Sequence, residues 1–134
     1  MKNKKGFTLL EIMIVIVIIG TLSTLGISQY IPARERAFGK EAIANLKLIR
    51  AAEKIYYMEL GTYYGPQNNV TFINTNLKLQ LVETNWDYNI ESANATSFTA
   101  IADRQGSGTY STCVWQITQD QNQDEPTVRT GPCL

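Results

Sequence analysis

The pattern of apolar and polar residues changes twice along the chain, and the pattern predicts the element. Ile12 to Ala33 is an uncharged run of 22 residues with aliphatic side chains on every helical face. At ~1.5 Å per residue it measures roughly 33 Å as a helix, enough to cross a bilayer core of about 30 Å. The pattern then narrows. Phe38, Ala42, Leu46, Ile49, Ala52, Tyr56 and Leu60 recur at spacings of three and four, one apolar stripe, while Lys40, Glu41, Lys47, Arg50, Glu53 and Lys54 occupy other faces. Gly61 supplies a C-terminal stop. Together these stretches predict one helix of 54 residues from Phe7 to Leu60, about 81 Å if straight. A globule of this size cannot enclose it, so the first half must project into lipid or into other copies of itself.

Beyond Gly61 the period shortens to two. Trp86, Tyr88 and Ile90 alternate with Asp87, Asn89 and Glu91; Phe98, Ala100 and Ala102 with Thr99, Ile101 and Asp103; Cys113, Trp115 and Ile117 with Val114, Gln116 and Thr118. Turn residues fill the gaps from Ser92 to Ser97 and from Arg104 to Thr109, so an antiparallel meander is expected. Its apolar face would cover the stripe of the second helix half, an α+β arrangement with the helix on one face of the sheet. Gly61-Thr62-Tyr63-Tyr64-Gly65-Pro66 reads as a turn-rich connection, and Leu77, Leu79 and Leu81 fit either a strand or a helix.

Composition narrows the chemistry. The chain has 134 residues, 12 Lys+Arg against 12 Asp+Glu, only 18% charged residues and no histidine. One domain fits that length. The neutral balance argues against nucleic-acid binding driven by bulk charge, and the lack of histidine removes Ser-His-Asp catalysis and the usual zinc sites. No nucleophile–base pair or phosphate loop is evident, so the chain reads as a structural or binding protein without a cofactor or resident metal. Lys2, Lys4 and Lys5 precede the apolar run and should stay cytoplasmic, sending everything after Ala33 outward. An ordinary secretory signal or a plain anchor would fit that much. Neither asks for Glu11 at the head of a membrane segment, where a carboxylate is costly and usually functional.

Lys5-Gly6-Phe7-Thr8-Leu9-Leu10-Glu11, followed by Ile12-Met13-Ile14-Val15-Ile16-Val17-Ile18-Ile19-Gly20, resembles the class III signal of type IV pilins and type II secretion pseudopilins, and is most like a type IVa pilin. The resemblance implies a pilin fold with a leader (1–6), a transmembrane and polymerisation half (7–33), an amphipathic half (34–60) and a β head (61–134). It implies that a prepilin peptidase cuts between Gly6 and Phe7 and methylates the new Phe7 amine. Glu11 would then pair with the Phe7 amine of an adjacent subunit, and since an unpaired buried charge is strongly unfavourable, the pair selects axial register. The blander role for Glu11 is to cap the helix or sit at the headgroup level. Gly20, Gly26 and Pro32 weaken the helix. Many members carry proline where this chain has Ser28, so either the helix melts between Gly20 and Pro32 or it bends only near Pro32.

Cys113 and Cys133 allow one disulfide or two buried thiols; the outward orientation favours the disulfide, and the resemblance implies a C-terminal loop closed by that pair. Asp120, Asn122 and Asp124 are spaced like calcium-loop ligands, but Glu125 stands where that loop needs glycine. Asn69-Val70-Thr71 and Asn94-Ala95-Thr96 match glycosylation acceptors. By resemblance the chain is an inner-membrane precursor with its head in the periplasm. It polymerises with itself into a surface fibre for adhesion, motility or DNA uptake, served by an assembly platform protein and ATPase. A secretion pseudopilin is the alternative, and a membrane-tethered binding module a lesser one.

Overall fold

The computed structural model describes residues 6–120 and 124–134, with only the backbone for 25–28. Its elements are α1 (Leu9–Leu60), α2 (Val70–Leu77), β1 (Trp86–Ala93), β2 (Phe98–Arg104), β3 (Val114–Thr118) and β4 (Thr127–Thr130). The chain divides into two compact units, Met1–Arg34 and Glu35–Leu134.

α1 begins two residues later than the periodicity predicts, because Thr8 caps it, and it continues through Pro32. It stops where expected. The Gly61 N–H donates to the Tyr57 carbonyl at 2.8 Å, and Gly61 takes a φ of +72°, a left-handed turn that glycine adopts without strain.

In the second unit the four strands lie in sequence order, all antiparallel, which is the meander the alternation predicts. One face carries Trp86, Tyr88, Ile90, Phe98, Ala100, Ala102 and Ile117, and these form a single core with Ala42, Leu46, Ile49 and Ala52 of α1. Small alanines on central β2, flanked by large rings on β1, leave room for the helix backbone to approach. Gly39 is a second point of close approach: a Cβ there would lie 2.4 Å from the Leu134 carbonyl oxygen.

Several expectations need correction. Leu60, assigned to the buried stripe, is exposed. Glu53 and Arg50, assigned to other faces, are buried. Ile101 lies on the outer face of β2 yet is almost buried, in a hollow bordered by Pro66, Gln67 and Asn68. Gln67 pairs with Ile90 through two backbone hydrogen bonds of 2.8 Å, so the connector lengthens the sheet edge. Leu77 ends α2, and Lys78 reverses the chain in a left-handed conformation, so Leu79 and Leu81 belong to neither helix nor strand. Helix α2 and strand β4 have no counterpart in the sequence reading. The signal for α2 was present, since Asn69 is a good N-cap and Val70, Ile73 and Leu77 fall at helical spacing. β4 is four exposed residues without alternation, and only its pairing with β3 makes it a strand.

Candidate functional site

From Phe7 to Ala33 the first unit presents an oily surface with one charge, Glu11, at its head. Large apolar side chains from Phe7 to Leu22 are exposed along the helix. Glu11 and Thr8 form a reciprocal cap: the Glu11 N–H donates to Thr8 Oγ1 at 3.2 Å, and the Thr8 N–H donates to Glu11 Oε2 at 3.4 Å. Two free N–H groups at the helix start are satisfied this way, and the carboxylate sits at the positive end of the helix dipole. Within one chain, then, Glu11 serves as a cap, and its side chain reaches back to the Thr8 N–H. Further along, the hydroxyls of Thr21, Ser23 and Thr24 donate to the carbonyls of Ile18, Ile19 and Thr21 at 2.8–2.9 Å. These polar groups are thereby satisfied inside the helix, which suits an apolar environment. Space around Gly20 is open. Gly26 and Ser28 fall where only the backbone is described, and the leader lysines lie outside the described residues. Among the described residues no single unbroken segment is long and apolar enough to cross a membrane; Leu9–Thr24 and Gln29–Leu60 together meet that test by length and composition.

In the second unit α1 has two apolar faces, where the sequence reading found one. Opposite the buried stripe run Ala44, Leu48, Ala51, Ile55 and Met58, all exposed, at successive spacings of four, three, four and three. Leu48 is 53% exposed, Ile55 54% and Met58 75%. That spacing is a helix–helix seam, with alanines that allow close approach alternating with longer side chains. The same three-and-four rule would have found it in the sequence.

The buried face is held by polar anchors from distant parts of the chain. Arg104, at the end of β2, grips Glu35 with two hydrogen bonds, Nε to Oε2 at 3.0 Å and Nη2 to Oε1 at 3.1 Å. Its guanidinium lies 4.6 Å from the Phe38 ring centre and 5.7 Å from that of Trp86. The Trp86 Nε1–H donates to the Phe38 carbonyl at 2.9 Å. Nearby, the Tyr88 hydroxyl accepts from Asn45 Nδ2 at 2.7 Å, and burial pushes the Tyr88 phenol up to about 12. Cys113 and Cys133 form a disulfide that closes the C-terminal loop. Beside that loop, Arg50 donates to the Asp120 carbonyl at 2.6 Å and lies 4.0 Å from Asp124, and Lys47 pairs with Glu125. The Asp120 main-chain carbonyl and the Asp124 carboxylate therefore face a guanidinium, and Asn122 lies outside the described residues. Of the acceptor tripeptides, Asn69 caps α2 by accepting from the Thr71 N–H at 2.9 Å, and Asn94 shapes the β1–β2 turn by accepting from Thr96 and Ser97 N–H at 2.8 and 2.9 Å.

A helix apolar all round in its first unit, then laid on a disulfide-closed four-stranded meander in its second, defines a pilin-type chain. Residues 1–27 match the prokaryotic N-terminal methylation motif. The chain is 34% identical to the type IV wide pilus major component PilA4 of Thermus thermophilus over 79% of its own length and 78% of that protein. It is 38% identical to the type IV major pilin PilA of Myxococcus xanthus over 52% of its length, and 35% identical to the type II secretion system core protein G of Klebsiella pneumoniae over 47%. Those two alignments span only 32% and 45% of the relatives. The chain belongs to the type IV pilin and pseudopilin family.

Proposed function

We propose that the chain is the structural subunit of a type IV pilus, held in the inner membrane as a precursor and polymerised through its N-terminal helix into a surface fibre. The observation that carries this reading is the exposed apolar segment beginning at Phe7 and helical from Leu9, with Glu11 as its lone charge up to Ala33. Such a surface requires lipid before assembly and sister helices after it. A prepilin peptidase cuts at Gly6–Phe7 and methylates Phe7, freeing an amine beside the Glu11 cap. On docking, Glu11 exchanges its Thr8 contact for the Phe7 amine of a neighbour, and a subunit out of register leaves both charges unpaired in an apolar setting, a penalty of several kcal/mol. An assembly platform protein and ATPase would drive the exchange from the membrane. The likeness to a secretion core protein supports a pseudopilin as the second reading.

Electron microscopy of sheared filaments, with mass spectrometry of their subunit, tests the proposal. Long fibres built of chains that begin at methylated Phe7 support the pilus; filaments present only when a secretion operon is overexpressed support the pseudopilin. Glu11→Val is expected to be processed normally yet give at least tenfold fewer filaments, whereas Gly6→Val leaves the leader attached. Normal filament yield from the Glu11 variant would remove the register argument.

The seam on α1 is the complementary surface. It offers the apolar helix of another copy an apolar stripe from Ala44 to Met58, bordered by Lys47 and Lys54. Leu48→Arg with Ile55→Arg is expected to cut filament yield at least tenfold. Both sites are exposed, so the unfolding midpoint should barely move, since surface substitutions stay within about 0.5 kcal/mol. Unchanged filament yield would mean that the seam lies idle in the fibre.

A further inference from the structure

Glu53 is the one acidic side chain of the described residues that the core encloses completely, at 0% exposure. Its Oε2 accepts the Tyr64 N–H at 2.8 Å, while among the described residues Oε1 has no hydrogen-bond partner. No ion pair reaches it among those residues. Arg50, one turn earlier on α1, is directed to the Asp120 carbonyl and Asp124, and Lys54 points to solvent. From the connector, Tyr63 and Tyr64 face it. Tyr63 stacks on Tyr57 of α1 at 4.7 Å between ring centres and rests on Phe98 of β2 at 5.0 Å; Tyr64 meets Tyr56 edge-on at 5.5 Å. The surroundings are thus aromatic rings, which solvate an anion poorly, and one backbone donor.

A carboxyl in this setting is comfortable as the neutral acid and costly as the anion. It is also placed where the cost has a mechanical outlet. Between Gly61 at the end of α1 and Asn69 at the start of α2, the connector is held to the rest of the unit by the Tyr64 N–H on Glu53, the Tyr64 hydroxyl accepting from Asn76 Nδ2 at 3.0 Å, the Tyr63 N–H on the Asn94 carbonyl at 3.1 Å, and the Gln67–Ile90 pair. We propose that Glu53 is a proton-operated fastener: as the acid it holds the connector 61–69 against α1 and the edge of β1, and as the anion it releases that connector. The connector borders the outer hollow around Ile101, so its release changes the surface that the sheet presents to a neighbour. The inference rests on the second unit alone and holds whether or not the chain polymerises.

Burial lifts the Glu53 carboxyl from 4.5 to about 7, with the Tyr64 N–H pulling the other way. Between those values the folded chain binds the extra proton, so the contribution of Glu53 to stability is complete below about 4.5, declines as pH rises, and is lost above about 7. The test uses the full chain in detergent micelles, comparing wild type with Glu53→Gln by denaturant unfolding from pH 4 to 9 and by rate-corrected amide exchange at pH 5.5 and 8.5. For wild type the folding constant should fall about a hundredfold across the window, with the Tyr64 and Gln67 amides losing protection first. The glutamine variant should keep both across the whole range. Equal pH slopes in the two proteins, or connector protection in wild type that ignores pH, would overturn the proposal. Should the variant fail to fold, the carboxyl carbon resonance of Glu53 in wild type decides: a midpoint above 6 supports the fastener, and one below 5 refutes it.

Discussion

Arg104→Ala should destabilise the second unit by about 3–5 kcal/mol, the range for breaking a buried ion pair from one side. The reason is specific to its setting. Arg104 and Glu35 are 9% and 10% exposed, so removing the guanidinium strands a carboxylate away from water. The same change removes the cation from above Phe38 and Trp86, and removes a donor to the Asn85 carbonyl at 2.9 Å. Denaturant unfolding followed by Trp86 fluorescence would measure the loss. The informative control is Arg104→Met with Glu35→Leu, which replaces both charges by apolar groups of similar reach. If the penalty comes from the stranded charge, the double variant should recover most of the stability; if it stays as unstable as Arg104→Ala, packing against the rings is the larger part.

Removing the disulfide, with Cys113→Ser and Cys133→Ser together, should cost about 3 kcal/mol for a loop closed across 20 residues. The loss should be felt first in the tail. Leu134 sits against Gly39 of α1 and Gly131 lies close to the Thr112 carbonyl, with the disulfide at Cys133 between these two contacts. Limited proteolysis should therefore cut after β3 in the serine variant and spare the oxidised parent. Arg104, Cys113 and Leu134 border one small cavity, so this change and Arg104→Ala should combine non-additively. Strict additivity within about 0.5 kcal/mol would mean the tail and the ion pair are independent fastenings.

How much of the fold is legible in the sequence depends on how local the cause is. The stop at Gly61, the alternation of Trp86, Tyr88 and Ile90, and the inward set Phe98, Ala100 and Ala102 were all legible, because helices and strands repeat every 3.6 and 2 residues whatever they pack against. Glu53 defeated that logic. A glutamate on an amphipathic helix reads as solvated, and only the arrival of Tyr63 and Tyr64 from the connector encloses it. Leu60 failed in the opposite direction: it obeys the stripe's spacing, but lies one turn past the end of the sheet's cover. The seam from Ala44 to Met58 obeys the same spacing rule, and is legible in the sequence as a second stripe on the same helix.

By itself the sequence determined the N-terminal methylation motif over residues 1–27, the apolar run with Glu11 at its head, the long helix and the antiparallel meander. These follow from residue order and short-range periodicity, which need no partner. Tertiary structure alone decided that Arg104 meets Glu35 across 69 positions, that β4 is a strand, that Glu53 is buried with one oxygen unmet, and that Leu48 and Ile55 are left uncovered. Those outcomes depend on which distant groups come together and displace water, and that is a property of the packed chain rather than of any stretch of it.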